Sequence, residues 1–243
     1  MIDRILKYQA SAFVKAEQIV PDPKIISELT PIYGKHGLFP TIIQEQTPTG
    51  NSSRISFKSI NEQIHLLLMG KRFDFVYLGF DGSYDNFDEF SYFCRIGSEM
   101  INEVTGYFNL QPHRLASVKE FFLKEMSEEE MNKVASILLN LPQLYSKHLP
   151  FEWDWRAGSY SERTFGNKTE RSISLTGIHR QVANISRSSG IGETLDRIRI
   201  QTDINTDPKN IQERFNSNDI SSYFSESPQW HDEIVNEIIN FIS

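Results

Sequence analysis

The residues best suited to chemistry in this 243-residue chain are its arginines, and their distribution is uneven. Eight of the thirteen fall in one stretch: Arg156, Arg163, Arg171, Arg180, Arg187, Arg197, Arg199 and Arg214. A guanidinium presents a planar fork of donors that fits a carboxylate or a phosphate. In residues 196–205, apolar and polar positions alternate. That places Ile198, Ile200, Thr202 and Ile204 on one face of a strand and Arg197, Arg199, Gln201 and Asp203 on the other. Arginines on strands, Arg180 and Arg187 included, are expected to project from the face opposite the core. Together with Gln201 and the aromatic pair Trp153 and Trp155, they form the candidate binding surface. Interleaved Tyr160, Phe165 and His179 supply rings on which single-stranded nucleic acid could stack. Glu162, Glu170, Glu193, Asp196 and Asp203 lie among the same arginines, and cross-strand ion pairs use the same residue types. Solvated ion pairs are therefore favoured over a nucleic-acid surface.

Other chemistries have weaker support. Residues 81–89, Asp81-Gly82-Ser83-Tyr84-Asp85-Asn86-Phe87-Asp88-Glu89, bring together carboxylates that a hard cation would need. Their spacing is not that of a calcium loop, and acidic groups also suit the start of the helix that follows. His113-Arg114, His148, His179-Arg180 and Trp230-His231 show no metal-ligand spacing, and one cysteine cannot build a structural zinc site. No Gly-x-Ser-x-Gly elbow marks a hydrolase. Gly190-Ile191-Gly192 joins two strands, where a phosphate-cradling loop would join a strand to a helix. Cys94, inside an apolar helical stripe, reads as a buried thiol, and His65 as a packed or hydrogen-bonded strand histidine. No catalytic residue, metal or cofactor is assigned.

Composition sets the frame for these groups. With 39% hydrophobic and 23% charged residues, the chain has the makeup of a globular protein, and its 17 phenylalanines can fill a sheet-rich core. A formal charge of −7 argues against wholesale electrostatic binding to DNA or a membrane without excluding a local basic face. The amino terminus lacks the apolar run of a secretion signal, and no segment approaches the ~20 apolar residues of a membrane span. A cytoplasmic protein is expected.

The elements that position the candidate residues follow from periodicity. An opening strand is expected over residues 8–20, then a helix from Pro23 capped by Asp22. Strands follow at 41–46, 53–60, 63–69 and 73–80, with a tight hairpin at Gly70-Lys71. Phe87, Phe90, Cys94, Gly97, Ile101, Val104 and Phe108 mark the clearest helix, capped by Asp85, with Gly97 allowing close approach to a sheet. A strand at 114–124 precedes a helix opened by the capping box Ser127 and Glu130. Beyond Pro150, strands are expected from 151, over 170–186 and over 195–205. A last helix is expected to have Ser227 and Pro228 at its cap and first turn, with Trp230, Ile234, Ile238 and Ile242 inward. The fold class is α+β. Two antiparallel sheet units, each covered by helices, span residues 1–145 and 146–243, and a sheet shared between them is left open.

The order of these elements resembles a sporadically distributed family of uncharacterised bacterial proteins of about this length. The matching stretches are residues 64–80 with the helix 87–108, Arg114-Leu115-Ala116-Ser117-Val118, and residues 198–204 with 230–241. The resemblance implies a bacterial setting in mobile genetic neighbourhoods, including antiviral defence or toxin-type operons, and supplies no catalytic residues. The expectation is a non-catalytic binding protein, an adaptor or sensor subunit of a multi-protein system, holding a protein partner on the second-half sheet. A nucleic-acid-binding protein and a metal-dependent nuclease or phosphoesterase built around Asp81 are the alternatives. A homo-oligomer is left open, and no membrane partner is expected.

Overall fold

The first strand lies in the middle of the sheet. The computed structural model describes residues 2–48, 50–79, 89–146, 150–186 and 192–243. In it, β1 (Ile2–Phe13) pairs antiparallel with both β5 (Arg72–Leu78) and β6 (Arg114–Leu123). On the β5 side come β4 (Ile64–Leu68), β3 (Gly50–Lys58) and, at the edge, β2 (Phe39–Thr47). On the β6 side come β9 (Gly192–Thr206), β8 (Lys168–Ser186) and, at the other edge, β7 (Trp153–Phe165). All nine strands form one antiparallel sheet in the order β2-β3-β4-β5-β1-β6-β9-β8-β7. The expectation of two sheet units is corrected by the pairing of β6 with β9, from Ala116↔Asn205 to Phe122↔Arg199, which joins the strands of both halves.

Among the described residues, four α-helices accompany the sheet: α1 (Pro23–Gly34), α2 (Phe90–Tyr107), α3 (Glu128–Leu138) and α4 (Ser217–Ile242). Helix α2 packs on β1 and β5, α4 on β6, β9 and β7 and against α2, α1 beside β2, and α3 beside α4. They bury one face of the sheet. Tyr8, Ala10 and Ala12 of β1, Phe73 and Phe75 of β5, Leu115 and Phe121 of β6, and Ile198, Ile200 and Ile204 of β9 alternate toward them. Gly97 is where α2 comes closest. A Cβ there would stand 3.0 Å from the Ala10 Cβ and 3.2 Å from the Phe75 ring. No helix among the described residues is long and apolar enough to cross a membrane.

Several local expectations are met by the hydrogen bonds. Asp22 accepts from the amides of Lys24 and Ile25 at the start of α1, and Ser127 and Glu130 make both bonds of a capping box. Met69 N–H donates to the Arg72 carbonyl across the Gly70-Lys71 turn. Cys94 is buried, which pushes its thiol pKa up, and His65 is hydrogen-bonded to the Glu62 carbonyl at 2.6 Å. Two boundaries differ. Strand β1 runs over residues 2–13, and Val14 and Ala16 instead donate to Lys71 and Gly70 carbonyls beside the β4–β5 turn. Helix α4 starts at Ser217, eleven residues ahead of Pro228. Asn216 and Asp219 form its capping box, and Pro228 sits inside it. The burial of Ile220, Tyr223 and Phe224 holds that extra length. The expected cap Asp85, like the whole of residues 80–88, lies outside the described residues, and α2 is preceded by Glu89.

Candidate functional site

Because the helices cover one face, the alternate residues of the strands form a second face on which no helix packs among the described residues. At its centre it closes with its own polar groups. Gln9 donates to Ser11 and to Asp74 Oδ1, Ser11 Oγ donates to Asp74 Oδ1 at 2.6 Å, and Arg72 Nε reaches Asp74 Oδ2 at 2.7 Å. Asp74, Ser11 and Gln9 are thereby buried on that side. A carboxylate taken from water needs such partners.

Arg197, Arg199 and Gln201 lie on this uncovered face, opposite Gln181, His179 and Gly177 of β8. Arg197 pairs with Glu125 at 3.3 Å and Arg199 with Glu120 at 3.1 Å. Gln201 lines a concavity of about 190 Å³ with Arg156, Leu175, Gly177, His179 and Asp203. Gly177 makes the hollow: the His179 ring lies over it, so that a Cβ would fall 2.6 Å from Nε2. His179 Nδ1 is 3.1 Å from Asp154 Oδ1. Burial and then the neighbouring Arg199 hold the imidazole pKa below its ordinary value. Across the hollow, burial raises the Asp203 carboxyl pKa against the opposing pull of the Asn205 amide and of Arg114, Lys7 and Arg156. A depressed histidine and a raised aspartate in one depression favour the neutral form of both.

The other expected contact residues are placed differently. Arg180 lies on the helix side, opposite Ile198 and Trp153, only 5% exposed. It hydrogen-bonds both Asp196 oxygens and Asn132 of α3. Trp153 and Trp155 share that side and pack into the cluster of Phe121, Ile178, Ile198 and Ile200. The expectation that these three lie on the face opposite the core is corrected: strand parity turns them to the helix side. Arg187 falls outside the described residues, as do the acidic residues 81–88 and His148.

Beyond β9 on the same uncovered face is a larger cavity, about 560 Å³. It is lined by Phe13, Lys15 and Glu17 after β1, Gln44 to Gln46 of β2, Met69, Lys71 and Arg72 at the β4–β5 turn, and His113 and Arg114 before and in β6. Antiparallel pairing brings these to one end: Phe13 lies opposite both Arg72 and Arg114. The Arg114 guanidinium stacks 3.3 Å above the Phe13 ring. Among the described residues it has no hydrogen bond or ion pair, and its Nε is buried without a partner, as is Nδ1 of His113. A buried donor left unsatisfied costs about 1–3 kcal/mol. Burial lowers the Arg114 pKa against the opposing pull of Asp203, with Arg72 adding to the fall, and burial with Arg114 and Arg214 lowers that of His113.

A third cluster has the composition of a catalytic dyad but is sealed. His231 of α4 is fully buried, with Nε2 2.9 Å from Ser117 Oγ and Nδ1 2.6 Å from Thr202 Oγ1. Phe90 closes over it edge-on at 4.9 Å. With no route for substrate, these bonds serve to fix α4 on β6 and β9. Among the described residues, no group of three His, Cys, Asp or Glu side chains could hold a metal ion. Sequence reasoning missed Arg114, Phe13 and the Gly177 hollow as site elements. Only the glycine inside a strand pattern signalled one of them. Comparison of the sequence with protein-family models and with curated proteins finds no match.

Proposed function

We propose that the chain is a non-catalytic binding protein of the cytoplasm, an adaptor or sensor subunit of a bacterial multi-protein system. It holds its protein partner on the uncovered face of β7, β8 and β9. The observation that carries this reading is the one-sided arrangement: the helices pack on one face, while the other offers the Gly177 hollow flanked by Arg156, Arg199 and Gln201. In the Arg197–Glu125 pair the carboxylate is 80% exposed and the arginine side chain only 13%, so the glutamate is the member a partner can reach. A setting in defence or toxin-type operons accords with the family resemblance noted from the order of elements.

The nucleic-acid alternative has less support. Arg180 is committed to Asp196 and Asn132 on the helix side, and Arg197 and Arg199 already face carboxylates. A photo-crosslinking residue at Gln201, compared with one at exposed Glu99 on α2, tests the leading reading in the native host. A single partner captured from position 201, absent from position 99 and lost on Arg199→Glu, is expected. Recovery of the uncrosslinked chain alone from both positions refutes it.

A further inference from the structure

We infer that the cavity lined by Phe13, Arg72 and Arg114 is a binding site for a small oxyanion, a carboxylate- or phosphate-bearing molecule, held by Arg114. The site is separate from the Gly177 hollow and does not depend on the partner-binding proposal. Four cationic side chains line it, Lys15, Lys71, Arg72 and Arg114, against the carboxylates Glu17 and Glu45. Half of these six are already paired. Arg72 is held by Asp74 at 2.7 Å, Lys15 by Glu213 at 3.5 Å, and Glu45 by Arg54 at 2.6 Å. Lys71 and Arg114 have no ion pair among the described residues; Glu17 is the lining carboxylate left to oppose them, and Asp203, outside the lining, acts on Arg114 at longer range. The unsatisfied balance of the cavity is positive.

Arg114 differs from an ordinary surface arginine. Phe13 fixes its plane from one side, so its fork is oriented before any ligand arrives. The unpartnered Arg114 Nε and His113 Nδ1 belong to adjacent residues in the cavity lining. An oxyanion accepts from a guanidinium through two parallel bonds, which a single water cannot reproduce. The volume is within the ~300–1,000 Å³ typical of small-molecule sites. Gln44 and Gln46 offer neutral hydrogen-bonding groups on one wall and Met69 an apolar one, so the ligand is more than a bare ion: an oxyanion on a short organic body.

Titration of the full chain at low ionic strength with citrate and, separately, with inorganic pyrophosphate tests the site and distinguishes its two ligand chemistries. Saturable binding of at least one at millimolar concentration is expected, with a raised melting temperature and affinity that falls as sodium chloride is added. Arg114→Met should abolish that binding while leaving the melting temperature of the free protein unchanged or raised, because it removes an unpaired, partly desolvated charge. Lys71→Gln, at an exposed turn, should weaken binding several-fold without affecting folding. The inference is overturned if neither probe binds the wild-type chain, or if binding survives both Arg114→Met and Lys71→Gln. A fall in the melting temperature of the free protein on Arg114→Met would overturn it too, since the arginine would then be structural.

Discussion

Acidification should destabilise this fold through one histidine. His231 is enclosed by Ser117 and Lys119 of β6, Thr202 of β9, Phe90 of α2 and its own neighbour Asp232. Burial first, then the charges of Lys119 and Arg163, lower its pKa from 6.5 to about 3. Below 6.5 the unfolded chain takes up a proton that the folded chain refuses, so stability is full above that value and is lost progressively down to about 3. Each pH unit in that window is worth ~1.4 kcal/mol, so at roughly pH 4.5 the loss is about 2.7 kcal/mol. For a chain of this size, that is a fall in melting temperature of roughly 5–10 °C. Urea unfolding of wild type and His231→Gln at about pH 7.5 and about pH 4.5 isolates the effect, because other titrating groups are common to both. The glutamine should cost about 1–3 kcal/mol near neutrality, from the hydroxyl it leaves unpaired. The decisive quantity is the pH difference, which should be smaller in the variant by about 2.7 kcal/mol. Equal pH dependence in the two proteins would refute the reasoning.

Three further outcomes follow from contacts on the two faces. Gly97→Val should lower stability by about 3 kcal/mol in chemical denaturation, since even a Cβ stands 3.0 Å from Ala10 and α2 cannot retreat without uncovering Phe75 and Phe93. Arg180→Met should destabilise by roughly 1–2 kcal/mol in the same measurement and leave partner crosslinking at Gln201 intact. The full buried-pair penalty of ~3–5 kcal/mol is discounted because the Asp196 side chain is 37% exposed. For Asp203 the sign is opposite to that of His231. Its folded pKa is raised, so the folded state binds the extra proton and gains stability as pH falls through that pKa. Asp203→Asn should therefore raise stability at neutral pH and steepen the loss on acidification, as read by melting temperature across a pH series.

Much of the fold could be read from local pattern, because the relevant forces are local. The capping box at Ser127, the turn at Gly70-Lys71, the α2 stripe and the close approach at Gly97 each depend on residues within a few positions of one another. The start of α4 was equally local, in Asn216 and Asp219, but Pro228 offered a competing first-turn signal. A proline inside a helix is tolerated here, with Ser227 Oγ donating to the Tyr223 carbonyl one turn back. What local pattern could not supply was the insertion of β1 between β5 and β6 and the joining of β6 to β9, which rest on pairings about 60 to 120 residues apart. Parity failed at β8 for a related reason. Ile173 and Leu175 lie on one face and Ile178 on the other, so alternation alone does not say which face holds Arg180. The Arg114 cavity is assembled from β1, β2, the β4–β5 turn and β6, and only the folded sheet brings those segments together.

The two faces use the same residue types to opposite ends. On the helix side, Arg180, Lys119 and His231 are each paired, to Asp196, Asp232, and Ser117 with Thr202, and their interactions fix helices on strands. Substituting them should change stability. On the uncovered side, Asp203 has a raised pKa beside a hollow, and Arg114 is held flat on Phe13 without an anion. For each of the two, burial outweighs the attraction of the opposite charges nearby, Asp203 and Arg114 for one another included, so neither arrangement is favoured by the fold alone. Groups whose removal should stabilise the free protein are where a binding role has the greatest explanatory use. Asp203 and Arg114 both lie on the uncovered face, near enough for each to act on the other's charge, and stability measured without ligand separates the two roles residue by residue.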